Sequence, residues 1–510
     1  MKKGIIKAVV LAACFAAAVI AFGYFTNQNS VNLTTEMQTA SYPVLSVYHK
    51  DYLVGELHGY REKMDMTTMR DSVVPLQDDR AVTVEVHTFG KVIDQISYEI
   101  RSLDGERLIA DRICDKYTTK GDVLHLELVL ENLLEESEEY QLLFLLQSGD
   151  ETIRYYTRLI QKQEEHLDDY LEFVNQFHED TMDKEHADQL STYLEPDSSV
   201  ENNNLNLVTI NSSLQQVSWA DFECQQLTDS VLTIADISDN YAVITLDYVL
   251  TAKGEGGELE YYNAEEYYRV SYNEEGGRCY LHNFERSMNQ IFRADGENFS
   301  DNYIQLGIRD QNVEYKKNES GQITCFVQEG ELWSYNEENG TLYRIFSFRG
   351  YEGMDVRENY AAHDIRILGI DEGGSVDFAV YGYMNRGVHE GQVGVSVCHF
   401  DSLSATVEEM LFIKSDKSYS RLRTDMGGVL YESTEGNLYC MMEGTIYQIN
   451  GADHNVQMLA EGLGSNDYYT SKDCRLLVWK QDISDGQGLK VADLEMEHIS
   501  DLEARDGQKL

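Results

Sequence analysis

Glu331-Leu332-Trp333-Ser334-Tyr335-Asn336, the turn Glu337-Glu338-Asn339-Gly340, and Thr341-Leu342-Tyr343-Arg344-Ile345-Phe346 read as a strand, a tight turn and a returning strand. The apolar and aromatic runs are too short for helices, and Asn and Gly supply the turn. The same shape recurs at Thr445-Ile446-Tyr447-Gln448-Ile449-Asn450 followed by Val456-Gln457-Met458-Leu459, and opens again at Leu489-Lys490-Val491-Ala492-Asp493-Leu494. Apolar strands reached through glycine or acidic turns accompany these units: Val429-Leu430-Tyr431, Leu438-Tyr439-Cys440 and Leu476-Leu477-Val478-Trp479. A repeat of roughly 45 to 60 residues with about four short strands each signals an array of small antiparallel sheets.

From residue 205 to 510 this pattern resembles the blades of a β-propeller. The chain lacks repeated Trp-Asp endings and Tyr-Trp-Thr-Asp motifs, and its pairs Gly373-Gly374 and Gly427-Gly428 fall short of a kelch spacing, so no named propeller family is identified. The resemblance implies a central channel and a loop face used for binding. Asp501 to Leu510 stops where another strand should open. The array therefore either closes with fewer blades than the units suggest or is a shortened form of a longer protein, since an unpaired edge is a liability.

Upstream, Val44 to Ile160 alternates with period two at 81–86, 96–100 and 123–130, and Tyr140 to Gln147 faces Thr152 to Ile160 across Ser148-Gly149-Asp150-Glu151. About seven strands in about 120 residues predict a β-sandwich of immunoglobulin-like size over 43–160, without the paired cysteines and tryptophan of true immunoglobulin domains. Residues 161–204 change period: Leu167, Tyr170, Leu171, Val174 and Phe177 share one helical face, which predicts an amphipathic helix and then a polar linker. His166, His178 and His186 sit among acids on that helix, but no two are three or four residues apart, so they read as a solvated face rather than metal ligands. Leu232–Ile237 with Tyr241–Leu250, and Glu265–Tyr272 with Arg278–Phe284, are read as antiparallel pairs opening the blade array.

Ala8 to Phe25 is uncharged, and as a helix it is about 27 Å long, enough for the hydrocarbon layer of a bilayer. Lys2, Lys3 and Lys7 precede it, which places the N-terminus in the cytoplasm and the rest outside. Residues 1–25 are thus expected to be a cytoplasmic tip and an uncleaved signal anchor, with 26–42 a stalk. Two rivals are weaker: no small-x-small cleavage site follows the run, and Leu11-Ala12-Ala13-Cys14 has a lipoprotein-box form but too short a leader.

The 510 residues are 42% hydrophobic, enough for several cores, and 41 basic against 89 acidic residues leave a net charge of −48. That charge excludes nucleic acid as a partner. Three prolines and 34 tyrosines fit a mainly β chain. Eight cysteines, Cys14 among them, show no CxxC spacing, so neither a zinc site nor a disulfide framework is legible, although one bridge remains open. Asp295-Gly296-Glu297-Asn298 and Asp482 to Gly486 are acidic turns without EF-hand order.

Val380 to Val395 carries the most distinctive chemistry. Strands on both sides make it a hairpin whose loop is expected to display Asn385, Arg386, His389 and Glu390 beside glycines. A guanidinium there suits a carboxylate or sulfate, and His389-Glu390 suits hydrogen bonding. Val393 stands where a zinc-protease HExxH needs its second histidine, so no metal or other cofactor is expected. These readings point to a non-enzymatic, single-pass envelope protein of a bacterium that meets a peptide, glycan or partner protein outside the cell. The alternatives are an extracytoplasmic hydrolase or lyase on polysaccharide or peptide using that loop, or a sensory accessory of a two-component kinase.

Overall fold

In the computed structural model of the chain, the period-two stretches become strands whose burial alternates residue by residue. Ala81–His87 alternates in this way, with Val82, Val84 and Val86 inward. The structure describes residues 37–502 except 77–78, 131–133, 136–137, 162–165, 198, 200–203, 239, 255, 295–298, 301–302, 310–311, 351–354, 427, 451–454, 465 and 484–485. The apolar run 8–25, the acidic turn 295–298 and part of the turn 482–486 lie outside the described residues. Among the described residues no helix is long and apolar enough to cross a membrane.

Ten strands form two five-stranded sheets. They are β1 (Val44–His49), β2 (Tyr52–Leu57), β3 (Val73–Leu76), β4 (Ala81–His87), β5 (Gln95–Ser102), β6 (Leu108–Ile113), β7 (Thr118–Lys120), β8 (Val123–Val129), β9 (Glu139–Ser148) and β10 (Glu151–Gln161). One sheet runs β2-β1-β4-β8-β7 and the other β3-β10-β9-β5-β6, with β3 parallel to β10. Val84, Leu126, Ile100, Phe144 and Tyr155 from the two sheets meet in one core, each burial contributing about 1.5–3 kcal/mol. The β9–β10 hairpin turns at Gly149, as its sequence requires.

The next unit differs from the sequence expectation. The helix α1 (Leu167–Met182) presents Leu167, Tyr170, Leu171, Val174 and Phe177 inward, but it is no linker. It packs on an antiparallel sheet of β11 (Leu207–Thr209), β12 (Cys224–Gln226), β13 (Val231–Ile237), β14 (Ala242–Lys253), β15 (Leu259–Asn273) and β16 (Arg278–Gln290). The β13–β14 and β15–β16 pairs form as read, yet they build this helix-backed sheet and not blades. One continuous apolar cluster joins it to the sandwich, and buried Arg158, held within the sandwich sheet by Glu139 Oε2 at 3.0 Å, donates across the joint to the Ala235 carbonyl at 2.6 Å.

The four-stranded meanders begin at Tyr315, not at 205. They span Tyr315–Ser347, His363–Ser415, Leu430–Ala460 and Tyr468–Leu502, each a sheet in chain order, which is a propeller-like arrangement. A bulge separates the third and fourth strands in the first three, at Leu332/Trp333, Val397/Cys398 and Ile446/Tyr447. Shared apolar clusters join the first blade to the second, the second to the third and the third to the fourth. The first blade also docks on the helix-backed sheet, where Gln328 donates to the Gln290 carbonyl at 2.7 Å and Phe292 packs on Trp333. The seven cysteines from Cys114 to Cys474 are unbridged thiols, and burial pushes Cys440 up to about 12.

Candidate functional site

The second and third strands of the first blade are joined by Glu329-Gly330, both with positive φ, and those of the third blade by Glu443-Gly444 in the same conformation. This is the two-residue turn that matches strand twist. In the second blade the corresponding strands, Val376–Tyr383 and Val393–Asp401, are joined instead by the excursion 384–392. That excursion holds all four residues singled out in the sequence.

The fold uses the excursion to grip the sandwich. Glu390 accepts from the Ser41 amide at 2.6 Å, the Tyr42 amide at 2.8 Å and Ser41 Oγ at 2.7 Å. The Arg61 amide donates to the Gly391 carbonyl at 2.8 Å, and Tyr383 Oη to the Gly59 carbonyl at 2.6 Å. A side chain at position 391, where φ is +74°, would place its Cβ 2.4 Å from the Tyr42 ring, so glycine is required for that approach. Arg386 is buried against Glu358 at 3.3 Å, and Asn385 donates to the Glu358 and Tyr360 carbonyls at 2.9 and 2.7 Å. His389 stands apart: it stacks on Phe412 at 3.7 Å, with Nδ1 at 2.9 Å from Gln392 and Nε2 at 2.8 Å from Glu409. Asn385, Arg386 and Glu390 are buried, so the loop does not hold them out to solvent as the sequence suggested.

Beside this clamp the sandwich and blades share an aromatic and methionine core, with Tyr60, Met64, Met66 and Met69 against Tyr383, Leu422 and Met426. His58 stacks on Tyr360 at 3.8 Å, and burial depresses its pKa to about 3 despite the pull of Asp355. The imidazole is neutral there.

A second polar cluster lies inside the helix-backed sheet. Glu266 occupies an inward register position on β15 between Ala264 and Tyr268, and it is fully buried. Its carboxylate accepts from Tyr248 Oη at 2.8 Å and Tyr268 Oη at 2.6 Å, and lies 2.9 Å from His178 Nδ1. Burial works against its charge, but His178, then Arg286 and the Tyr268 hydroxyl hold its pKa at about 2. Burial likewise opposes a charge on His178, and Glu266 outweighs it and raises that pKa. The sequence places His178 on a solvated face; the helix turns it into the core instead, where Glu266 provides a buried partner. Arg286, also fully buried, covers the Trp219 ring at 3.5 Å and donates to the Val217 and Gln216 carbonyls.

A cavity of about 510 Å³ opens where β14 begins and β15 ends, beside the start of α1. Arg269 lies over the Tyr241 ring at 4.2 Å. Ser271 Oγ is 2.7 Å from His282 Nε2. His166 stacks on Tyr272 at 3.7 Å and lies 2.8 Å from both Asp169 and Glu274; burial disfavours its charge, but these two carboxylates raise its pKa. Among the described residues no carboxylate meets His282, so the Ser271–His282 pair lacks the third member that orients a nucleophilic triad. It offers hydrogen bonding. Sequence reading missed this cavity; Arg269 and Ser271 two apart on one strand face was the available signal. Among the described residues no group of His, Cys, Asp and Glu is set to hold a metal ion.

No protein-family profile matches the sequence, and no curated protein does. Among solved structures, the chain resembles TolB from Acinetobacter baumannii at 8% identity and a TM-score of 0.23, over 72% of this chain and 77% of that one. It resembles an oligogalacturonate lyase in complex with manganese at 8% identity and 0.25, over 55% and 74%. A Bacteroides thetaiotaomicron protein of unknown function gives 10% and 0.22, over 87% and 86%. At such scores none of the three bears on what this chain does.

Proposed function

We propose that the chain is a membrane-anchored, extracytoplasmic binding or scaffold protein of a bacterial envelope, with no catalytic step. The uncharged run 8–25 behind Lys2, Lys3 and Lys7 supports the anchor and the orientation. The observation that carries the binding reading is the use of the 385–390 loop. Its buried guanidinium and carboxylate are engaged by Glu358, Ser41 and Tyr42 of the same chain, and His389 by Gln392 and Glu409. A hydrolase or lyase built on that loop would need those groups free for substrate. What the loop does instead is fix the sandwich to the blades, as a scaffold requires. Partners of the exposed faces are a peptide, a glycan or another envelope protein. Labelling an introduced surface cysteine in intact cells tests the placement of the β-rich mass.

A further inference from the structure

We infer that the cavity between the start of α1 and the ends of β14 and β15 binds a small carboxylate-bearing ligand, with Arg269 as its anchor. The inference rests on the binding reading above and supplies the chemistry of one site. What marks Arg269 is its place, in the wall of this cavity and over an aromatic ring. Among the described residues Arg269 has no ion pair, and its guanidinium lies over the Tyr241 ring at 4.2 Å. A guanidinium lying over a ring is held in a fixed plane while its N–H edge remains free, the arrangement that takes a planar carboxylate in a bidentate fork.

The neighbouring groups set the rest of the chemistry. Ser271 is on the same face of β15 as Arg269, and its hydrogen bond to His282 at 2.7 Å places a hydroxyl–imidazole pair to meet a ligand's polar substituent. The other basic side chain in the wall, His166, is already met by Asp169 and Glu274. With no ion pair to Arg269 among the described residues and Glu274 in the same wall, the site suits a monoanion and disfavours a phosphate dianion. The Tyr241 and Tyr272 rings line the same cavity, whose size of about 510 Å³ suits a ligand of a sugar or dipeptide.

The test is ligand-observed saturation-transfer NMR with the full chain in detergent, titrating glucuronate and N-acetyl-alanyl-alanine against methyl glucoside and the alanyl-alanine amide. At least one carboxylate probe is expected to bind ten times or more tighter than its neutral counterpart, and which one does distinguishes a sugar acid from a peptide terminus. Arg269→Met should weaken that probe at least tenfold and Arg269→Lys less, with the circular dichroism unchanged because the side chain is exposed. His282→Ala, a second surface variant, should weaken it several-fold. Failure of both carboxylates to bind, equal binding of the neutral probes, or full affinity in Arg269→Met overturns the inference. Those failures leave the anchored-binding reading to be judged by where the chain sits in the cell.

Discussion

Replacing Glu390 by alanine removes the acceptor for three hydrogen bonds, from the Ser41 amide, the Ser41 hydroxyl and the Tyr42 amide, at distances of 2.6 to 2.8 Å. Two of those donors are backbone amides in the joint between sandwich and blades, and the Tyr42 amide lies in a buried segment. A hydrogen bond to a charged group contributes about 1.5–3 kcal/mol, and an amide left buried without a partner costs about 1–3 kcal/mol. Because water can reach a vacated carboxylate site at the edge of the joint, the sum is reduced, and Glu390→Ala should destabilise docking by about 3–5 kcal/mol. Glu390→Gln keeps one acceptor oxygen in place and removes the charge, so about 1–2 kcal/mol is expected. The assay is urea denaturation followed by two probes, intrinsic fluorescence and proteolysis of the segment 37–43. The alanine variant should expose 37–43 at lower urea than the wild type while the blades unfold later, splitting one transition into two. An alanine variant with the wild-type midpoint to within about 0.5 kcal/mol would refute the clamp, and loss of ligand binding without that shift would restore the loop as a site.

Acid should loosen the same joint. His58 is held neutral with a pKa of about 3, below its unfolded value of 6.5, so its contribution is intact above pH 6.5 and lost as pH falls toward 3. At pH 4 the loss is roughly 3 kcal/mol, and His58→Phe, which keeps the stack on Tyr360, should flatten the urea midpoint between pH 6.5 and 4; an unchanged slope removes His58 from the explanation. In the helix-backed sheet, Glu266→Leu strands His178 and two tyrosine hydroxyls and should cost about 3–5 kcal/mol, read as faster hydrogen exchange along β14 and β15. The pair also sets a pH window: the Glu266 contribution is present above 4.5 and lost as pH falls through about 2, and that of His178 is present below 6.5 and lost as pH rises through its elevated pKa. Flat exchange rates in Glu266→Leu would contradict the buried network.

The individual strands and hairpins were legible because side-chain alternation is local. Tyr140–Gln147 against Thr152–Ile160 and Glu331–Asn336 against Thr341–Phe346 pair as the residues suggest. Which sheet a hairpin joins is not local, and residues 231–290 read as blades because long and short strands share the same period. Length was the missed cue: β15 and β16 run 15 and 13 residues, longer than the strands of the meanders. A second cue was chemical. Glu266 and Arg286 interrupt the apolar registers Tyr262-Ala264-Tyr268 and Phe284-Met288, and a charge at a core position announces a buried partner. A third was the Glu-Gly pair at 329–330 and 443–444, which aligns two blades and shows that 384–392 is an insertion between equivalent strands. The loop reads as a display because its glycines and charges look solvent-facing, and nothing near residue 390 indicates that Ser41 and Tyr42 fold back onto it.

Placement of the β-rich mass outside the cell is tested by Leu403→Cys, since Leu403 is 96% exposed at a turn of the second blade. With the chain expressed in living cells, a membrane-impermeant maleimide is applied before or after lysis, and the native background is read from the parent chain, whose thiols are mostly buried. Labelling of Cys at 403 in intact cells to the level reached after lysis is the expected result. Labelling that appears only once the membrane is broken would contradict it.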